Sequence, residues 1–182
     1  MFIQTEDTPN PATLKFVPGE TVMPSGTIDF ASPDAAERSP LARRLFAVAG
    51  VARVFFGSDF ITVTKTQAQE WHVMKPAVLG AIMEHFTARL PVLDADSATA
   101  DGHAEGENDI VRQIKELLDS RVRPAVAQDG GDILFDRFED GVVYLEMRGS
   151  CSGCPSSMAT LKSGVENMLR HYIPEVSEVR AV

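Results

Sequence analysis

Residues 92–107, with the sequence VLDADSATADGHAEGE, limit the possible folds of this chain more than any other segment does. The segment contains five carboxylates, no lysine or arginine, and no apolar residues at helical spacing. Such a sequence favours a flexible, extended chain, because its charges repel one another and it has little apolar surface to bury. We therefore predict two small domains, residues 1–91 and 108–182, joined by a flexible acidic linker.

The uneven distribution of charge supports this division. The whole chain has a formal net charge of −9, of which the linker contributes −5, the first domain −1 and the second domain −3. Binding to nucleic acid or to an anionic membrane surface depends on lysine and arginine side chains. We therefore expect neither nucleic acid nor a membrane among the partners.

The sequence also bears on location in the cell. No segment approaches the roughly 18 uncharged apolar residues that a transmembrane helix requires. Residues 1–7 have neither the basic region nor the apolar region of a secretory signal. We expect an intracellular protein, either cytoplasmic in a bacterium or in the mitochondrial matrix as a mature eukaryotic form.

The first domain has a β-rich pattern that prolines and glycines interrupt. Its predicted strands span residues 2–5, 13–17, 27–30, 51–56 and 60–64, the last two forming a hairpin. Ser39 and Pro40 favour the N-cap and first position of a helix, and apolar residues at helical spacing predict a second helix over residues 75–89. This is an α+β pattern.

The second domain predicts the order α-β-β-α-β. The predicted elements are a helix over residues 109–122 with Asn108 as its cap, a short turn from Pro124, strands over 132–138 and 142–147, a helix over 155–172 and a strand over 176–182. This order places a small sheet with helices on one side. The fold class predicted for the whole chain is therefore α+β, with two small α/β-sandwich-like domains.

The chain has only two cysteines, Cys151 and Cys154, at a corner between a strand and a helix. Cys154 is expected at the N-cap and Pro155 at the first helical position. Backbone amides and the positive end of the helix dipole favour a thiolate there, so we predict a lowered thiol pKa. Ser152 and the glycine between the cysteines are small enough for both sulfurs to turn toward one centre.

Four interpretations of this pair are open. The cysteines could be small core residues, a dithiol oxidoreductase site, half of a tetrahedral zinc site, or ligands of an iron–sulfur cluster. A thioredoxin-like site usually has a tryptophan near its cysteines, whereas the single tryptophan here, Trp71, lies in the other domain. A glycine-containing CxxC that opens a helix disfavours the first interpretation.

The number of thiols decides how a metal site would be completed. A four-thiolate site needs four sulfurs and one chain supplies two. The four histidines have no ligand spacing relative to the cysteines; they are His72, His85, His103 and His171. The simplest completion is a second copy of the chain, with the two CxxC motifs meeting across a two-fold axis.

Two parts of the sequence resemble a known family. GSCSGCPSS at residues 149–157 and TLK at 160–162 resemble the core of the NifU C-terminal-like domain, and VRP at 122–124 and DGGD at 129–132 fit the same signature. QTEDTPNP at 4–11 and TLKF at 13–16 resemble the opening of the Nfu N-terminal domain.

The resemblance implies an Nfu-type iron–sulfur cluster scaffold or carrier. It implies a [4Fe-4S] cluster bound by Cys151 and Cys154 of a homodimer, supplied by upstream cluster-assembly proteins and passed to apo iron–sulfur client proteins. No general base or nucleophilic triad is discernible, so we expect a protein that is not an enzyme. The separate scaffold and [2Fe-2S] domains of the larger nitrogen-fixation protein are missing from this sequence, which favours late-stage transfer.

Three further groups of residues allow both a structural and a functional interpretation. Asp129 and Asp132 could bind a metal, but the intervening glycines favour a turn that leads into a strand. Met158 and Met168 lie at core spacing. Trp71 could belong to the core of the first domain or to a client-binding surface, and we favour the core.

Overall fold

The structure is a computed structural model that describes residues 1–95, 108–152 and 155–182, without the side chains of residues 155–157. It divides into two compact units, Met1–Asp101 and Gly102–Val182. The division falls inside the predicted linker, and most of that linker lies outside the described residues. Both units combine helices with a β-sheet, which confirms the predicted α+β class.

The first unit contains a five-stranded antiparallel sheet. Its strands are β1 Gln4–Asp7, β2 Thr13–Val17, β3 Ile28–Phe30, β4 Val51–Phe56 and β5 Ile61–Lys65, arranged in the order β1-β2-β5-β4-β3. The hairpin of β4 and β5 is confirmed, with Phe56 opposite Ile61. The first strand lies two residues later than residues 2–5, because β1 pairs in register with β2 from Gln4 to Asp7.

Two α-helices and a short 3₁₀-helix, Asp34–Arg38, accompany this sheet. Helix α1, Pro40–Phe46, begins as predicted, since the Ser39 side chain accepts a hydrogen bond from the Ala42 amide at 3.0 Å. Helix α2, Trp71–Thr87, begins before residue 75 and includes Pro76. Pro76 is the sixth residue of the helix, so its missing amide hydrogen removes one intrahelical hydrogen bond, the one to the His72 carbonyl.

The packing of the first unit extends beyond residue 91. Val92 and Leu93 pack against its apolar core. The Ser39 hydroxyl donates to the Val92 carbonyl at 2.5 Å, and the Asp94 amide donates to the Arg38 carbonyl at 2.9 Å. The first residues of the predicted linker are therefore held against the start of α1.

The second unit contains three α-helices, a π-turn and a three-stranded sheet. Its elements are α3 Asp109–Leu117, a π-turn Leu118–Val122, α4 Arg123–Gln128, β6 Gly131–Glu139, β7 Val142–Gly149, α5 Pro155–Tyr172 and β8 Glu178–Ala181. Strands β6 and β7 are antiparallel, and β8 lies parallel to β7 at the edge of the sheet. The predicted α-β-β-α-β order is confirmed, with one additional short helix.

The π-turn has a local cause. Pro124 has no amide hydrogen, and its ring would clash with the carbonyl of residue 120 in a regular helix. Widening the preceding turn relieves this conflict without ending the helix, so α3 and α4 are joined through the π-turn without a break.

Among the helices that the structure describes, none has both the length and the apolar composition of a membrane-spanning helix.

One histidine in the first unit is completely buried. His85, on α2, has 0% exposure, and within the described residues neither ring nitrogen has a hydrogen-bond partner. Burial, together with the nearby Arg44 guanidinium, lowers the pKa of His85 below its ordinary value of 6.5, and the backbone of Leu90 and Pro91 beside the ring only partly opposes this. The imidazole of the folded unit therefore takes up its proton at a lower pH than that of the unfolded chain.

This difference predicts that the first unit loses stability as the pH falls below about 6.5, by up to about 1.4 kcal/mol per pH unit. Trp71 is the only tryptophan and lies in this unit, so its fluorescence during urea unfolding measures the first unit alone. His85→Leu should flatten the dependence between pH 6.5 and 5, and His72→Gln, at an exposed position, should not. An unchanged slope in His85→Leu would contradict this account.

Candidate functional site

Cys151 follows β7 and belongs to the core of the second unit. Strand β7 ends at Gly149, whose φ of +66° suits glycine and turns the chain. The Cys151 side chain is only 7% exposed and is part of the same apolar cluster as Met147 and Val165. Cys151 is a free cysteine. Cys154, with its expected N-cap position, lies outside the described residues.

The predicted lowering of the thiol pKa is wrong for Cys151. Burial is the largest cause and raises the pKa of the Cys151 thiol to about 11; the charges of Asp129 and Asp132 act in the same direction, and the neighbouring Ser150 side chain only partly opposes them. Sequence spacing placed the cysteine near a helix start, but it could not reveal that the sulfur is desolvated. The thiol is therefore protonated at neutral pH.

A glycine from another strand makes room for the sulfur. Gly131, the first residue of β6, lies opposite Gly149 in the sheet. A Cβ atom at position 131 would lie 2.6 Å from the Cys151 Sγ and 2.9 Å from the Arg148 carbonyl oxygen. Position 131 can therefore hold only glycine if the thiol and the neighbouring backbone keep their places.

Ser150 joins the two segments that surround the thiol. Its side chain is 1% exposed, and its hydroxyl donates to the Asp129 carbonyl. Its amide donates to the Gly130 carbonyl at 3.2 Å. We name residues 149–152 the cysteine loop and residues 129–132 the glycine turn; Ser150 connects them through both its side chain and its backbone.

The glycine turn is itself held by an ion pair. Arg123, the first residue of α4, donates from Nε and one terminal nitrogen to the two carboxylate oxygens of Asp132, both at 2.9 Å. Asp132 is 3% exposed, and its Oδ1 also accepts from the Ile133 amide at 2.8 Å. Arg123 further contacts Asp119 at 3.0 Å, and the hydrogen bonds to Asp132 raise the pKa of its guanidinium.

These contacts decide between the two interpretations of Asp129 and Asp132. The Asp132 carboxylate is ion-paired with Arg123, and the Asp129 carbonyl accepts a hydrogen bond from the Ser150 hydroxyl. Both contacts support the structural interpretation, in which these residues form a turn. Among the described residues, no three His, Cys, Asp or Glu side chains come together as a metal site. Arg123, Gly131 and Ser150 were not predicted as site residues from the sequence, because their roles depend on contacts between distant segments.

The structure also tests the predictions for residues that were expected in the two cores. Met158 and Met168 pack against the core of the second unit, as expected. Trp71 packs against the core of the first unit, with its indole N–H donating to the Pro11 carbonyl at 3.2 Å. At the end of α5, Tyr172 is 48% exposed, whereas Leu169 and Ile173 are buried.

Family comparisons agree with this two-unit architecture. The model described as "Scaffold protein Nfu/NifU N terminal" matches residues 3–89, and the model described as "NifU-like domain" matches residues 114–180. The architecture is therefore that of a two-domain protein with an Nfu-type N-terminal domain and a NifU-like domain that contains the cysteines. The chain belongs to the Nfu/NifU family.

Relatives of known name are similar over the whole chain. A human protein named "NFU1 iron-sulfur cluster scaffold homolog, mitochondrial" is 51% identical over 183 residues, which are 100% of this chain and 72% of the relative. A Drosophila willistoni protein of the same name is 55% identical over 184 residues, 100% of this chain and 64% of the relative. The chain thus spans about two thirds of the length of these relatives.

One solved structure is also similar. The solution structure of a NifU-like protein from Saccharomyces cerevisiae has 24% sequence identity and a TM-score of 0.47, covering 52% of this chain and 86% of that chain.

The contact between Gly131 and Cys151 makes a prediction about stability. Gly131→Ala should destabilise the second unit by about 1–3 kcal/mol, because the added methyl group overlaps the sulfur and a backbone oxygen. Hydrogen exchange of peptides from the second unit measures the effect. Gly164→Ala, on α5, is the matched control, since its Cβ would meet no described atom within 4 Å and alanine favours the helix by up to about 1 kcal/mol. Equal effects of the two substitutions would contradict the contact.

The ion pair makes a second prediction. Arg123→Lys should cost about 1–3 kcal/mol, since lysine cannot bond both oxygens of the buried Asp132 carboxylate. Arg112→Lys changes an exposed pair with Asp109 and should cost less than about 0.5 kcal/mol. Urea unfolding of the second unit, followed by hydrogen exchange, compares the two variants. A cost at Arg123 no larger than at Arg112 would refute the importance of this pair.

Proposed function

We propose that this protein is an iron–sulfur cluster scaffold and carrier. The observation that carries the proposal is the agreement between relatives named as cluster scaffolds along the full chain and a CxxC pair in the NifU-like domain. In this proposal Cys151 and Cys154 bind the cluster, which is cargo rather than a permanent cofactor. The protein is not an enzyme.

The number of cysteines supports a shared site. A [4Fe-4S] cluster is commonly held by four thiolates, and the chain contains two cysteines. Two copies that meet at their CxxC motifs supply the four sulfurs. Such a cluster is released when either the dimer or its thiolate bonds are lost, which suits delivery to another protein.

Transfer then proceeds by exchange of thiolates. A cysteine thiolate of an apo iron–sulfur client displaces Cys151 or Cys154 from iron, and the released thiolate takes up a proton. Because the Cys151 thiol has a raised pKa, release is favoured by protonation and uptake requires loss of a proton. Upstream cluster-assembly proteins supply the cargo, and the first unit recognises or orients these partners.

The names of the relatives also support a location. Because they are named as mitochondrial proteins, we propose the mitochondrial matrix for a eukaryotic form. For a bacterial form we propose the cytoplasm, which these names do not address. Neither nucleic acid nor a membrane is a proposed partner, in keeping with the net charge of −9.

A dithiol oxidoreductase is the alternative with the same cysteines. Attack on a disulfide requires a thiolate, and burial keeps the Cys151 thiol protonated at neutral pH. Binding of iron also requires a thiolate, so the raised pKa of Cys151 does not separate the two functions. The alternative predicts reduction of insulin disulfides without iron.

Anaerobic reconstitution tests the proposal. We expect about four irons and four sulfides per dimer, with broad absorbance at about 400 nm. Cys151→Ser and Cys154→Ser should each abolish iron binding, whereas His171→Gln, at an exposed helix end, should retain it. Native mass spectrometry of the loaded protein should give a dimer. Full iron content in either serine variant, a loaded monomer, or a colourless zinc-containing dimer would contradict the proposal.

A further inference from the structure

The structure packs the Cys151 sulfur into the core of its own unit, beside Gly131 of β6. Cys151 is 7% exposed and belongs to the apolar core of its unit. Its Sγ lies so close to Gly131 that a Cβ atom there would be 2.6 Å away. Backbone of β6 and β7 therefore occupies the space beside the sulfur.

A shared cluster needs a different position of this sulfur. Metal–thiolate bonds are short, about 2.3 Å, and a site between two copies must lie at the surface of both. A sulfur that packs inside one unit cannot meet iron held at such a surface. The cysteine loop must therefore move outward before cargo binds.

Two hydrogen bonds of Ser150 are among the contacts that oppose this movement, together with the packing of Cys151 in the core. The Ser150 hydroxyl donates to the Asp129 carbonyl, and the Ser150 amide donates to the Gly130 carbonyl. The loop begins at Gly149, whose φ is +66°, and it is followed along the chain by α5. Breaking the Ser150 contacts would weaken the attachment of residues 150–152 to the glycine turn, while Gly149 stays paired with Gly131 in the sheet.

We infer that the cysteine loop is closed in the unloaded protein and opens to take up cargo, with Ser150 as the positioning residue that holds it closed. This inference rests on the proposed function, because it assigns Ser150 a part in loading. The closed loop shields Cys151 from oxidants and from stray metal ions. An upstream donor that stabilises the open loop would then load the protein selectively.

Thiol labelling tests the closed state in the absence of iron. In the Cys154→Ser chain Cys151 is the only thiol, so an aromatic disulfide reagent reports its accessibility. Adding Ser150→Ala should raise the labelling rate roughly five- to tenfold, the range expected for loss of one buried hydrogen bond. Ser177→Ala is the matched control, since the Ser177 hydroxyl also donates to a backbone carbonyl, that of Gly141, at 3.0 Å.

The urea dependence of labelling separates local opening from general loss of stability. Local opening exposes little surface, so the rate should rise only weakly with urea; global unfolding would give a steep rise. Gly149→Ala strains the closed loop through its backbone and should also accelerate labelling with a weak urea dependence. It provides an independent measurement if Ser150→Ala does not fold.

Several results would overturn the inference. One is a labelling rate of the Cys154→Ser chain that equals its rate in denaturant. Another is a labelling rate that Ser150→Ala does not increase, or increases only with the steep urea dependence of global unfolding. In the chain with both cysteines, Ser150→Ala should also speed cluster uptake by a similar factor, and faster labelling without faster uptake would refute the role in loading. If the parent chain takes up no iron at all, the proposed function fails instead, whatever the labelling result.

Discussion

The ion pair between Arg123 and Asp132 is the contact on which the rest of the cysteine site depends. A carboxylate that is 3% exposed loses most of its hydration, and only charged or strongly polar partners can offset that cost. Arg123 provides two parallel hydrogen bonds at 2.9 Å, and the Ile133 amide provides another at 2.8 Å. The pair fixes the start of β6 against α4, and with it the position of Gly131.

The glycine turn that this ion pair holds in place contacts the cysteine loop directly. Gly131 leaves space for the Cys151 sulfur, and the carbonyls of Asp129 and Gly130 receive the hydrogen bonds from Ser150. The site is thus assembled from a helix start, a turn and a strand end that are separated along the chain. This explains physically why the sequence signature includes residues 122–124 and 129–132 as well as the CxxC motif itself.

In both units the sequence predicted local features better than features that depend on contacts between distant residues. The capping residues Ser39 and Asn108 act as expected, because a side chain that accepts from a nearby amide depends only on local sequence. The starts of β1 and α2 were misplaced, because they depend on pairing with β2 and on anchoring of Trp71 to the Pro11 carbonyl. Exposure of Tyr172 and burial of Leu169 and Ile173 likewise depend on how α5 lies on its sheet.

The sequence by itself determined the α+β class, the division into two domains and the pair of cysteines as candidate ligands, since periodicity, charge and motif spacing are local properties of a chain. Only the tertiary structure decided the state of the site. Burial of the Cys151 sulfur reverses the expected direction of its pKa shift, and the contacts of Arg123, Gly131 and Ser150 link segments that no local pattern connects. Desolvation and packing are set by what surrounds an atom, and those surroundings exist only after the chain has folded.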